Sequence, residues 1–162
     1  MTERDVGTED IKFVRLAIEK AKESIAHGGF PAGAVIVKNG HTIGSGISVG
    51  NKLSDPTSHG EMVAIRDACK NLQSSDLTGA VLYTSMQPCI MCFGASIWGM
   101  ISRIVFAVSK EKVSAEYYGG EYKLSNINSS LMRPIDLVHC AELENESLAL
   151  VHKWEETFTK GK

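Results

Sequence analysis

Apolar residues recur at intervals of three and four near the start of the chain, where Ile11, Val14, Ile18, Ala21 and Ile25 form one stripe. That spacing puts side chains on one face of an α-helix. Thr8 is the expected N-cap and Gly28-Gly29 the stop: a short hydroxyl can accept free N–H groups at a helix start, and glycine tolerates the left-handed backbone beyond its end. The period then changes. Ala34-Val35-Ile36-Val37 and Thr42-Ile43-Gly44-Ser45-Gly46 flank Lys38-Asn39-Gly40-His41, and Asn-Gly between strand-like runs predicts a tight antiparallel hairpin.

Met62, Ile65, Cys69 and Leu72 restore the helical spacing across 58–72. Val81-Leu82-Tyr83-Thr84 reads as a strand, and Gln87-Pro88 leads into a second helix over 89–100, because proline suits the first turn, whose N–H would be unpaired anyway. Apolar runs at 103–108 and 135–140 predict two more strands, and 146–160 a C-terminal helix. Between them, 109–133 carries Tyr117-Tyr118-Gly119-Gly120-Glu121-Tyr122 and no sustained periodicity; connections of that length tend to serve a site. Strands alternating with helices place the chain in the α/β class, as a three-layer α/β/α sandwich with a mixed five-stranded sheet. No internal repeat, low-complexity tract or linker divides it, so 1–162 is expected to be one domain.

Composition narrows the function. With 17 Lys and Arg against 19 Asp and Glu the formal net charge is -2, and proteins that grip polynucleotides usually present a basic face. Nucleic acid is therefore disfavoured as a partner. No apolar run approaches the roughly 20 residues of a membrane span, and Met1-Thr2-Glu3-Arg4-Asp5 lacks the basic and apolar regions of a leader. A cytoplasmic location is expected.

The chemistry is carried by His59-Gly60-Glu61 and, after 26 further residues, Pro88-Cys89-Ile90-Met91-Cys92. Zinc accepts imidazole nitrogen and thiolate sulfur, and with three protein ligands it keeps a position for water, whose pKa then falls to about 7. His59, Cys89 and Cys92 supply those three ligands for one zinc ion per chain. Glu61, two residues from the histidine, is free to handle protons as a general acid and base. Taken singly, C-x-x-C could be a redox pair or half of a structural zinc knuckle, but neither needs the H-x-E, and the combination with proline before the first cysteine matches a zinc deaminase signature. Cys69, ten residues beyond His59 on one helix, would lie about 15 Å away and cannot be a fourth ligand. His27, His41, His139, His152 and Cys140 have no partner at a ligand interval. Ligands and Glu61 fall at two helix starts, where the dipole and free N–H groups favour anionic side chains.

These segments, with Pro31 to Val37, Asn51, Asp55-Pro56-Thr57-Ser58, Leu82-Tyr83-Thr84-Ser85 and Gly94-Ala95, resemble the cytidine deaminase superfamily, and within it the bacterial guanine deaminase branch. The resemblance implies a hydrolase acting on the C–N bond of a cyclic amidine, with guanine converted to xanthine and ammonia. It implies zinc on His59, Cys89 and Cys92, proton transfer by Glu61, base binding by Asn51, and a homodimer. Trp98 and Glu121 are similar in placement to an aromatic and an acid of the guanine branch, which would stack on and accept from a purine. Ala32 and Gln87 stand where that branch usually has Phe and Glu, Gly60 replaces a more frequent Ala, and no aromatic after Phe158 corresponds to its C-terminal one. Other expectations carried alongside are deamination of cytosine or another base or nucleoside, deamination of adenosine in tRNA, and a non-catalytic zinc-stabilised module.

Overall fold

The computed structural model describes residues 6–159. Residues 1–5, expected from their sequence not to form a leader, and residue 160 of the expected C-terminal helix lie outside the described residues. Helix α1 (Thr8–Ala26) precedes strands β1 (Phe30–Lys38) and β2 (His41–Ser48), a short helix α2 (Gly50–Leu53) and helix α3 (Gly60–Leu72). Strand β3 (Val81–Met86), helix α4 (Ile90–Trp98), strand β4 (Arg103–Val108), helix α5 (Leu124–Ser129), strand β5 (Asp136–His139) and helix α6 (Glu144–Thr159) complete the order.

The five strands form one mixed sheet in the order β2-β1-β3-β4-β5. β1 is antiparallel to β2 and β3, while β3, β4 and β5 run parallel. Asn39 and Gly40 both adopt positive φ, 52° and 75°, the left-handed pair that lets a two-residue turn follow the strand twist. Strand alternation splits the core into two layers. Ala34, Ile36, Leu82, Ile104, Phe106 and Leu137 face Ala64, Ala68 and Phe93 of α3 and α4; Val35, Val37, Tyr83, Val105, Ala107 and Val138 face Phe13, Val14 and Ile18 of α1. Helices thus cover both faces, as the alternating pattern predicts. No helix among the described residues is long and apolar enough to cross a membrane.

Three local expectations change. The N-cap of α1 is Gly7, because the Asp10 carboxylate reaches back to accept the Gly7 N–H at 3.0 Å in place of a Thr8 hydroxyl cap. The buried face of α1 also turns toward Phe13 and Ala17, leaving Ile11 and Ile25 at its margins. Finally, 109–133 is ordered into two 3-10 turns (Lys110–Lys112 and Ala115–Tyr118) and α5, the second turn started by Ser114, whose hydroxyl accepts the Glu116 N–H at 3.3 Å.

α3 lies very close to the hairpin. A Cβ on Gly46 would fall on the Gly60 carbonyl, and one on Gly44 would meet the Ala64 carbonyl at 2.5 Å. Two strand glycines therefore set the height of α3, and with it His59, above the sheet.

Candidate metal centre and active site

His59 and Cys89 occupy the N-cap positions of α3 and α4, both in extended backbone, with Glu61 and Cys92 in the first turns behind them. β3 sends the chain through Gln87-Pro88 into α4, and the β2–α3 connection returns it to His59, so the two helix starts meet at one end of the sheet. His59 Nδ1 stands 3.5 Å from Cys89 Sγ and 3.6 Å from Cys92 Sγ, and the two sulfurs are 3.7 Å apart. Cys92 is fully buried and His59 and Cys89 half-buried. Among the described residues this is the one group of three or more His, Cys, Asp and Glu side chains that could hold a metal.

A tetrahedral zinc, with Zn–S near 2.3 Å and Zn–N near 2.0–2.1 Å, separates its donors by roughly 3.6–3.8 Å. The three distances above fit such an ion without rearrangement, and the donor set is the soft nitrogen–sulfur kind zinc accepts. A carboxylate oxygen of Glu61 lies 3.3 Å from Cys92 Sγ. It lies beside the ligand set, and the Glu61 side chain is almost wholly buried.

Electrostatics sharpen this arrangement. Contact with the Cys92 sulfur, aided by the His59 imidazole, pulls the Cys89 thiol down to about 4 against its burial. The same sulfur contact and burial push Cys92 up, and Cys89 holds the His59 imidazole above its ordinary value. Burial pushes the Glu61 carboxyl up. Metal ligation would displace the protons these groups carry, since bound thiolate and imidazole must both be deprotonated.

In front of these groups opens a cavity of about 640 Å³, within the usual range for small-molecule sites. Asn51 lines it from α2, its amide donating to the Gly28 carbonyl at 3.1 Å. Ala32 lines it too, leaving space where a phenylalanine would stand. Gln87, also on the lining, is buried, and its side chain accepts the Lys110 N–H at 3.0 Å. Gly60 has a packing reason: an added Cβ would sit 3.2 Å from Gly33 Cα and 3.3 Å from the Gly46 carbonyl.

Two expected site residues are not brought to this cavity. Trp98, the last residue of α4, is 87% exposed and lines no part of it. A helix that begins at Cys89 carries its ninth residue about 13 Å along the axis from the site. Glu121 is likewise exposed and absent from the lining.

The walls come instead from residues the pattern did not single out. Phe30, Tyr117, Trp154 and Phe158 form an aromatic group at the cavity, with Trp154 5.1 Å from Phe30 and 4.7 Å from Phe158 between ring centroids. α6 is held over the sheet by Val151 and Leu148, packed on Ala32, Met86 and Val108. The Ser147 hydroxyl donates to the Ser85 carbonyl at 2.8 Å, and Glu144 accepts from the Ser109 N–H and hydroxyl. The missing C-terminal aromatic is thus supplied by Trp154 and Phe158 themselves. Their spacing of four on one helix was the available signal, but it names a shared face without naming its neighbour.

Residues 7–108 match the family model of the cytidine and deoxycytidylate deaminase zinc-binding region. A tRNA-specific adenosine deaminase of Aquifex aeolicus (strain VF5) is 36% identical over 115 residues, spanning 71% of this chain and 73% of that protein. A guanine deaminase of Bacillus subtilis (strain 168) is 43% identical over 96 residues, spanning 59% of this chain and 62% of that protein. A solved structure from studies of A-to-I editing by tRNA:A34 deaminases superposes with a TM-score of 0.75 at 28% identity, covering 86% of this chain and 99% of that one.

Proposed function

The chain belongs to the cytidine and deoxycytidylate deaminase zinc-binding family, and from that premise we propose that it deaminates a free nucleobase, with guanine to xanthine the leading conversion. The observation that carries this reading is the cavity wall, which has five aromatic side chains and no lysine or arginine. Such a wall suits a neutral planar heterocycle and offers nothing to a phosphate.

In this reading His59, Cys89 and Cys92 hold one zinc ion, and the chain acts as one deaminase domain that pairs with a second copy. Bound zinc supplies the Lewis acidity that makes water a nucleophile near neutral pH. Glu61 takes a proton from the attacking water, passes it to the ring nitrogen beside the amine-bearing carbon, and gives the next to the departing amine. Water and the aminated ring are consumed; a ring carbonyl and ammonia form. Burial favours the protonated Glu61 carboxyl and so assists the step in which it acts as an acid. Asn51, on the cavity wall, orients the base by offering an acceptor and a donor on one amide. The aromatic group covers the ring and excludes bulk water. Trp98 and Glu121 of the same chain take no part.

A second reading, adenosine within tRNA, is favoured by the Aquifex relative and the A34 deaminase structure. It demands contacts to phosphate that an acidic chain, with Asp55 and no lysine or arginine on the cavity wall, does not readily make.

One screen separates the readings. Ammonia release is measured from guanine, cytosine, adenine, their nucleosides and tRNA with zinc-loaded protein. The largest kcat/KM is expected on guanine, together with no tRNA gel shift at low salt. Turnover confined to tRNA overturns the free-base reading, and no ammonia from any of them overturns catalysis.

A further inference from the structure

The two residues that bracket Pro88-Cys89 are held from outside by tyrosine hydroxyls. Tyr118 Oη donates to the Gln87 carbonyl at 2.8 Å. Tyr122 Oη accepts the Ile90 N–H, also at 2.8 Å. That N–H is one of the amides at the start of α4 with no partner inside the helix, and the N-cap Cys89 supplies no side-chain bond.

Between the rings sits Lys110, only 7% exposed. Its Nζ is 5.5 Å from the Tyr118 ring centroid and 4.9 Å from that of Tyr122, within the range in which an ammonium is drawn to an aromatic face, more strongly when shielded from water. The Lys110 N–H donates to Gln87 Oε1. One cation thus joins both rings, and three side-chain bonds converge on the turn that carries Cys89.

We propose that Lys110, Tyr118 and Tyr122 act as one positioning unit, a cation–π clamp that fixes the turn around Cys89 and thereby sets metal affinity and ligand geometry. The inference rests on the reading of Cys89 as a zinc ligand. A ligand atom must be held within about 0.5 Å of its productive place, and partners outside the ligand shell typically change metal affinity 10–100-fold. A proline preceding Cys89 has no N–H with which to anchor the turn, so the grip falls to Gln87 and Ile90.

The test measures zinc affinity by competition with a chromophoric chelator, and the absorption spectrum of the cobalt-substituted protein as a reporter of ligand geometry. Y122F keeps the ring and removes the acceptor for Ile90; K110M keeps most of the packing and removes the charge. Each is expected to weaken zinc binding about tenfold and to shift the cobalt bands. The double variant should lose less than the product of the two single losses, because they act through one unit. D10N, which breaks an ion pair on the opposite face of the sheet, is the control: it should lower Tm while zinc affinity and the cobalt spectrum stay as in the wild type. Should Y122F fail to fold, K110M decides alone. Wild-type zinc affinity and spectrum in the folded variants overturn the clamp, as does an equal loss of zinc affinity in D10N. A wild-type protein that binds no zinc overturns the metal centre as well, so the two failures are distinct.

Discussion

Glu61 shows how one side chain acquires its task from its surroundings. The first turn of α3 buries it to 5% exposure and sets an oxygen 3.3 Å from Cys92 Sγ, close enough to serve the same cavity while the three ligands remain His59, Cys89 and Cys92. For E61Q we predict a zinc content of one ion per chain, by metal analysis, with kcat on guanine lower by roughly 10²–10⁴-fold. Loss of the metal, or turnover within a few-fold of wild type, would remove Glu61 from proton transfer. Short-range spacing made the His59–Glu61 and Cys89–Cys92 pairs legible, each on one helix start, while the fold is what joins the two pairs.

Asp10 is the counterpart on the structural side. Burial alone would raise its carboxyl, but Arg103, the Gly7 N–H and the Tyr83 hydroxyl more than offset that and hold it below its ordinary 3.8. Arg103 bonds both of its oxygens, at 2.7 and 3.0 Å. A carboxyl depressed in the folded state stabilises the fold fully above the unfolded value, and that contribution is lost as pH falls through the lower folded value. Wild-type Tm is therefore expected to drop steeply below about pH 4. D10N should be less stable than the wild type at neutral pH by about 1–3 kcal/mol, the cost of leaving a shielded partner unpaired, and its Tm should show a shallower acid limb. An unchanged acid limb in D10N would contradict this assignment.

At the scale of elements, α3 and α6 place the chemistry. α3 can approach the hairpin only because Gly44 and Gly46 have no side chain, so G46A should push the helix away at a cost of about 1–3 kcal/mol. It should also loosen zinc by moving His59; a G46A protein with wild-type Tm and zinc affinity would show that α3 is not seated this way. α6 brings Trp154 and Phe158 to the cavity. W154A is expected to raise KM for guanine about tenfold, the loss of one base–aromatic stacking contact of about 1–3 kcal/mol, at unchanged zinc content. An unchanged KM would place the ring outside the base site. The elements themselves were legible from period and punctuation: Asn39-Gly40 gave the hairpin, and the 103–108 strand falls where its apolar run does. The short helices within 109–133 were not, since six residues or fewer give too little periodicity to read. Trp98 and Glu121 were expected at the site through resemblance, and both are exposed and line no part of the cavity of this chain, Trp98 because of its distance along α4.

For the whole molecule, three layers and a mixed sheet bring two helix starts to one end of the strands, a placement open sheets commonly use for ligands. The order of helices and strands carried that architecture, because right-handed crossovers between parallel strands leave few ways to arrange it. The origin of the cavity wall was hidden: Phe30, Tyr117 and Trp154 are far apart in sequence, and only the closed fold joins them. The account stands on a zinc ion with two sulfur ligands, one imidazole and room for water. X-ray absorption at the zinc edge of the purified protein tests it most directly. The expected spectrum has two sulfurs near 2.3 Å and two nitrogen or oxygen neighbours near 2.0–2.1 Å, with one sulfur lost in C89S; four protein ligands around the ion, or no zinc at all, would contradict it.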